Sequence, residues 1–176
     1  FNNSAARELV DSTIKDKDID IEEDLPYQIP FPDNTYPFSK LITLQLYAKA
    51  EIAREHPICA IALADAAMQI ADNMFSDYHR LESLFLIGQA REKSGNISKA
   101  IEVYKTIVNE YKKEYHPGSN IVFSKHLMFI CLVNIGHLQK ETEPKEAIKV
   151  FNEAFELMDK SSYIDIVRIK LNAIID

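Results

Sequence analysis

From Ser39 onward, apolar and polar residues recur with the period of an α-helix, and short polar breaks interrupt the pattern. In SKLITLQLYAKAEIARE, Leu41, Leu44, Ala48 and Ile52 fall on one face. His56-Pro57 ends that stretch, and the alanine-rich ICAIALADAAMQIADNM follows. SDYHRLESLFLIGQAREKS opens on Ser76 or Asp77, side chains suited to cap a helix N-terminus. Gly95-Asn96 separates it from ISKAIEVYKTIVNEYKKEY, and His116-Pro117-Gly118 is a strong stop. SNIVFSKHLMFICLVNIGHLQKE is the longest apolar stretch, and its Phe123, Met128 and Phe129 read as core. TEPKEAIKVFNEAFELMDK begins with Thr142 as N-cap and Pro144 in the first turn, where proline is tolerated. SSYIDIVRIKLNAIID closes the chain, capped by Ser161 or Ser162. With a short helix over residues 3–14, NSAARELVDSTI, the pattern predicts about eight helices and no strand. Short connections make neighbouring helices antiparallel.

The segment KDKDIDIEEDLPYQIPFPDNTYP breaks this regularity. Its four prolines, Pro26, Pro30, Pro32 and Pro37, cannot continue a helix interior and bias the preceding residues to extended backbone. Leu25, Tyr27, Ile29 and Phe31 alternate, so one edge is suited to lie against a helical body. The chain thus divides into an N-terminal region, residues 1–38, of short helix and acidic linker, and a helical domain, residues 39–176. A connection this long is often functional or a boundary.

Three of the predicted helices share a local pattern. GNISKAIEVYKTIV places Ala100, Tyr104 and Ile107 at offsets of four and three. EPKEAIKVFNEAFE places Ala147, Phe151 and Ala154 likewise, and HPICAIALADAAMQ places Ala60, Ala64 and Ala67. Each follows a helix with a small residue near its middle: Ala48, Gly88 or Gly136. The physical logic is a helical hairpin. Small residues such as Gly88 and Ala100 let two helices approach closely, and the aromatic one turn later fills space toward the next hairpin. Gly95-Asn96 supplies the reversal, since both residues tolerate left-handed backbone.

LFLIGQAREKSGNISKAIEVYKTI, Leu84 to Ile107, resembles the tetratricopeptide repeat family. Leu84, Ile87, Gly88, Gly95, Ala100 and Tyr104 carry the match; Arg91 stands where the family has an aromatic. The flanking units match less well, and the resemblance covers roughly residues 40–160. The alanine anchors Ala60, Ala100 and Ala147 stand 40 and 47 residues apart, wider than the ~34 of standard units. The resemblance implies an all-α, right-handed α-solenoid of antiparallel hairpins whose first helices line a concave, partner-binding groove. Positions beside the core stripe of those helices are the candidate contacts: Gln45, Lys49 and Ile52; Glu82, Phe85, Gln89, Glu92 and Lys93; Val133, His137, Lys140 and Glu141. They mix polar, apolar and both charge signs, and lack the Lys/Asn arrangement by which some family members hold a C-terminal carboxylate.

Composition narrows the function. The chain has 176 residues, 47% hydrophobic and 27% charged, which suits a globular domain. Four glycines favour long helices over a turn-rich all-β fold. The net charge is −7, with −5 in residues 1–40, so neither part suits nucleic acid or an anionic membrane surface. No run reaches the ~18 apolar residues of a membrane span. Cys59 and Cys131, without CxxC spacing, read as buried reduced thiols. No histidine pair has ligand spacing, and no nucleophile elbow, phosphate loop or dinucleotide fingerprint occurs. DKDIDIEED lacks the glycine that a calcium loop requires.

The expectation is a protein–protein interaction module without catalysis, cofactor or metal. It would bind a protein or peptide, lie in the cytoplasm, and form a homodimer if apolar array ends stay uncapped. The alternative is the sensory or regulatory helical domain of a larger, bacterial-type signalling or transcription-regulatory protein, since the chain starts on Phe1 and reads as a piece of something longer.

Overall fold

The computed structural model describes residues 31–114 and 122–157. These residues form six helices and no strand: α1 Pro37–Ala53, α2 Pro57–Asn73, α3 Asp77–Lys93, α4 Ile97–Glu114, α5 Val122–Gln139 and α6 Pro144–Leu157. The expected helices at 3–14 and after Ser161, most of the linker, and His116-Pro117-Gly118 lie outside the described residues. The chain divides into two compact units, Phe1–Thr106 and Ile107–Asp176, with α4 running across the division.

Three helices end in the same way. Glu55, Phe75 and Gly95 take left-handed backbone, with φ of 62°, 53° and 76°. Their N–H groups donate to Ile52 O, Asp72 O and Glu92 O at 3.0–3.1 Å. The next N–H groups, of His56, Ser76 and Asn96, reach the carbonyls of Glu51, Ala71 and Arg91, each at 2.9 Å. This paired bonding satisfies carbonyls that the helix end would leave open. The carbonyls of His56, Ser76 and Asn96 then accept the first bonds of the following helices, from Ala60, Arg80 and Ala100. One helix and its turn therefore take twenty residues, as the positions 55, 75 and 95 show.

That unit explains the anchor spacing. Between Ala60 and Ala100 the chain passes two 17-residue helices and two three-residue turns. Between Ala100 and Ala147, α4 and α5 have 18 residues each, residues 115–121 separate them, and the last turn is 140–143. Those insertions supply all seven extra residues.

Helix starts rely on proline more than on side-chain caps. Pro37, Pro57 and Pro144 each open a helix, where a missing N–H forfeits no intrahelical bond. Hence α1 begins at Pro37, two residues inside the region read as linker. Ser76 is the N-cap residue of α3, but its side chain makes no capping bond. Thr142 does not cap α6. Glu143 O accepts the first helical bond, from Ala147, and Thr142 turns its hydroxyl to Gln139 O at 3.5 Å.

In the first unit, α3 packs on both α1 and α2. Leu41, Ala48, Ala60, Ala64, Ala67, Leu84, Ile87, Ala100 and Tyr104 are fully enclosed there. In the second unit α5 packs on α6 around Cys131, Leu132, Ile135, Ala147, Phe151 and Ala154. Met128 and Phe129 are core as expected, whereas Ile52 and Cys59 are only half-buried. Phe123's side chain lies outside the described residues.

The small residues meet partners other than those expected. A Cβ on Gly88 would stand 2.5 Å from Tyr104 Cε1, and one on Gly136 would stand 2.7 Å from Phe151 Cε1. The aromatic ring thus packs on the glycine of its own hairpin, at Gly88 in the place that the sequence pattern assigns to Ala100. In the first hairpin the corresponding positions are Ala48 and Ala64, both enclosed, so two methyl groups stand in place of a bare Cα and a ring.

Two stability predictions follow from this packing and turn geometry. Gly88→Ala lowers stability by about 1–3 kcal/mol, because the Tyr104 ring is itself fully enclosed and has no room to yield. In a double-mutant cycle read by urea unfolding, Gly88→Ala and Tyr104→Ala lose less together than the sum of their separate losses; strict additivity would refute the contact. Phe75→Gly raises stability by up to about 1 kcal/mol, since glycine adopts left-handed backbone without strain. A fall in thermal midpoint would show that Phe75 contributes packing instead.

Candidate functional site

Side chains on α1 and α3 meet through hydrogen bonds and an ion pair. Gln45 is nearly enclosed on α1 and donates both amide hydrogens of Nε2 across to α3, to His79 O and to Ser83 Oγ, each at 3.0 Å. Ser83 Oγ in turn donates to His79 O at 2.8 Å. One turn further along α1, Lys49 Nζ reaches Glu82 Oε1 at 2.9 Å. The lysine is half-exposed and the glutamate mostly covered. The pair is therefore fixed in place but still faces solvent.

Glu82 gathers further groups. Burial raises the Tyr78 phenol above its ordinary range, and the charge of Glu82 and a hydrogen bond to it add to the effect. His79 Nδ1 lies 3.5 Å from Glu82 Oε2, within ion-pair range but too long for a hydrogen bond. The His79 ring is held edge-on by Phe38 and Tyr78, with centroids 5.3 and 4.8 Å away.

A second cluster forms where α3 meets α4. The Phe85 ring lies 5.7 Å from that of Tyr104, whose hydroxyl donates to Glu92 Oε2 at 3.2 Å. Gln89 beside them is half-buried, and Lys93 is exposed at the helix end.

Among the sequence-derived candidates, the structure thus joins Gln45, Lys49 and Glu82 in one group and Phe85 and Glu92 in another. Gln45 is a packing residue, because its amide hydrogens are committed inside the fold. On α5, His137 is exposed and Val133 half-buried; in the turn after it, Lys140 is half-buried and Glu141 exposed. These four belong to the second unit.

Two enclosed charges occupy equivalent positions, forty residues apart. Glu51 accepts from Arg54 Nη1 at 3.0 Å and from His56 Nδ1 at 2.9 Å. Arg91 is fully enclosed; burial lowers its pKa and the charge of Glu102 opposes that shift. Each sits near a helix C-terminus, one residue type satisfied by local donors, the other favoured by the negative helix end.

Sequence reasoning missed a group at the N-terminal ends of α1 and α3. Tyr36, Phe38 and Phe75 are 79%, 50% and 94% exposed. A usable signal existed for Phe75. It stands twenty residues before Gly95, in a position whose backbone favours glycine.

No group of His, Cys, Asp and Glu among the described residues is arranged to hold a metal ion. Burial pushes the Cys131 thiol far above the ordinary thiol range. No helix among the described residues is long and apolar enough to cross a membrane. The chain matches no protein-family model, no curated protein and no solved structure at a significant level.

The two rungs of the α1–α3 face differ in energetic weight. Gln45→Ala costs about 1–3 kcal/mol, because it removes two hydrogen bonds between the helices and the packing of the buried amide that makes them. Lys49→Ala costs less than about 1 kcal/mol, because its pair is half in water. Urea unfolding of both variants checks the order; equal losses would mean that Gln45's bonds are not the ones joining the helices.

Proposed function

We propose that the helical region is a tetratricopeptide-like array of antiparallel hairpins, a right-handed α-solenoid that binds a partner peptide or helix along its first helices. One observation carries the proposal: α1 and α3, the first helices of consecutive hairpins, are joined directly by Gln45 and by the Lys49–Glu82 pair. Two first helices locked side by side make one continuous face, the arrangement from which solenoid repeats build extended binding surfaces. The twenty-residue helix–turn period and the glycine–aromatic contacts of the second and third hairpins support the same reading.

Lys49, Glu82, Gln89 and Lys93 give this face both charge signs and amide hydrogen bonding, beside the apolar edge of Phe85. A ligand suited to it is a mixed-charge segment with one apolar anchor, held mainly by hydrogen bonds and rim charges. The array contributes a preformed surface and no bond chemistry.

The double exchange Lys49→Glu with Glu82→Lys tests the assignment. It keeps an ion pair between α1 and α3 but inverts the order of charges offered to a ligand. Peptides selected from a random displayed library on the immobilised protein are expected to lose at least tenfold in affinity for the exchange variant, while its thermal midpoint stays within about 2 °C. Binding that ignores the exchange, for every selected peptide class, would overturn the proposed face.

A further inference from the structure

The start of α1 and the turn that leads into α3 present a largely exposed aromatic surface. Phe75 is the most telling member. It is 94% exposed, so it adds nothing to the core, and it holds left-handed backbone with φ of 53°. A bulky L-residue is disfavoured there, and the corresponding residues of the turns before and after are the polar Glu55 and Gly95. Folding alone would favour glycine at 75 on both counts. Strain retained at an exposed aromatic points to a role outside the fold.

Phe75 is not isolated. Met74 beside it is 37% exposed. Phe38, half-exposed at the start of α1, rests on His79 in the first turn of α3, so the two helix ends form one surface. Tyr36, 79% exposed, continues it at the N-cap of α1.

The charges that border this surface are acidic. Asp33 is exposed in the turn before α1, and the Asp77 side chain is 67% exposed at the start of α3. Among the described residues, the cations nearest to it in sequence, Arg80 and Lys40, already have partners. Arg80 is buried 3.8 Å from Asp72 and 3.6 Å from Asp77, and Lys40 Nζ sits over the Phe31 ring at 5.7 Å from its centroid. The chain as a whole carries −7. A second copy would bring the same acidic rim and charge against itself, and an anionic lipid surface would be repelled.

We infer that Tyr36, Phe38, Met74 and Phe75 form a second docking surface, for a protein segment with an aliphatic or aromatic anchor flanked by Arg or Lys. The anchor packs on Phe75 and Phe38. The flanking cations meet Asp33 and Asp77 and lie over the exposed ring faces, as Lys40 lies over Phe31. This surface is separate from the Lys49–Glu82 face and does not rest on that assignment.

The test uses the intact chain and a displayed library of random peptides, selected on the wild type and counter-selected against Phe75→Gly. Glycine suits the backbone at 75, so that variant keeps the fold, which a thermal melt verifies. The expected result is a class of peptides rich in Arg or Lys beside Leu, Ile or Phe. They should bind Phe75→Gly and Asp77→Asn at least tenfold more weakly than wild type. They should also bind the Lys49→Glu/Glu82→Lys exchange as well as they bind wild type. Failure to recover any peptide that distinguishes wild type from Phe75→Gly would overturn the inference. So would selected peptides lacking cationic residues. Sedimentation showing a wild-type dimer that Phe75→Gly dissociates would overturn it in favour of a second copy of the chain. Peptides lost only in the exchange variant would support the first-helix face and refute this second surface.

Discussion

The ring of Tyr104 occupies the space where a side chain on residue 88 would stand, and the second hairpin is set by that exclusion. A glycine in a helix interior is unfavourable by about 1 kcal/mol relative to alanine. Here it lets α4 bring a whole aromatic ring against the α3 backbone. The hydroxyl end of that ring then reaches Glu92, and its flank lies near Phe85, so one contact places three side chains. Gly136 and Phe151 repeat the arrangement in the other unit. Ala48 and Ala64 show the alternative, in which neither partner is large and both are enclosed.

The turns impose the second constraint. A left-handed residue after each of the first three helices reverses the chain within three residues, while the two bonds that close the helix keep its last carbonyls satisfied. Equal helices with equal turns bring every second helix back to the same register. That is why Phe38 meets His79, and why Gln45 and Lys49 reach Ser83 and Glu82. The polar face between α1 and α3 is thus a product of the twenty-residue period. The exposed aromatics at its end arise the same way, because Phe75 holds the position that Gly95 holds one turn later.

Much of the architecture was legible in the chain. Heptad-like apolar spacing located the six described helices, and Gly95-Asn96 and His56-Pro57 marked their breaks. Helical periodicity places Leu41 on a buried face, and the offsets shared by three stretches single out Ala60, Ala64, Ala100, Tyr104 and Phe151, all of them buried. Boundaries were read less well where proline was involved. By its sequence Pro37 belongs with the helix-breaking prolines of the linker, yet proline at the first helical position is compatible with the helix because no intrahelical bond is forfeited there. Thr142 had the right chemistry for a cap but stands one residue too early.

Local sequence determined the helices, their faces and the places where the chain reverses, because those depend on periodicity and on the backbone preferences of single residues. Tertiary structure decided which residues meet. Nothing near Gly88 in sequence says that Tyr104 rather than Ala100 fills its space, since that depends on how far the turn carries α4 back along α3. Gln45 looked like a surface residue beside the core stripe. It is enclosed because α3, more than thirty residues later, covers it and supplies two acceptors. Phe75 stands between two helical stretches of the sequence, and only the folded turn shows it strained and facing water. Burial and exposure at these positions are set by the neighbour that arrives, and a pattern read along one helix carries no record of that neighbour.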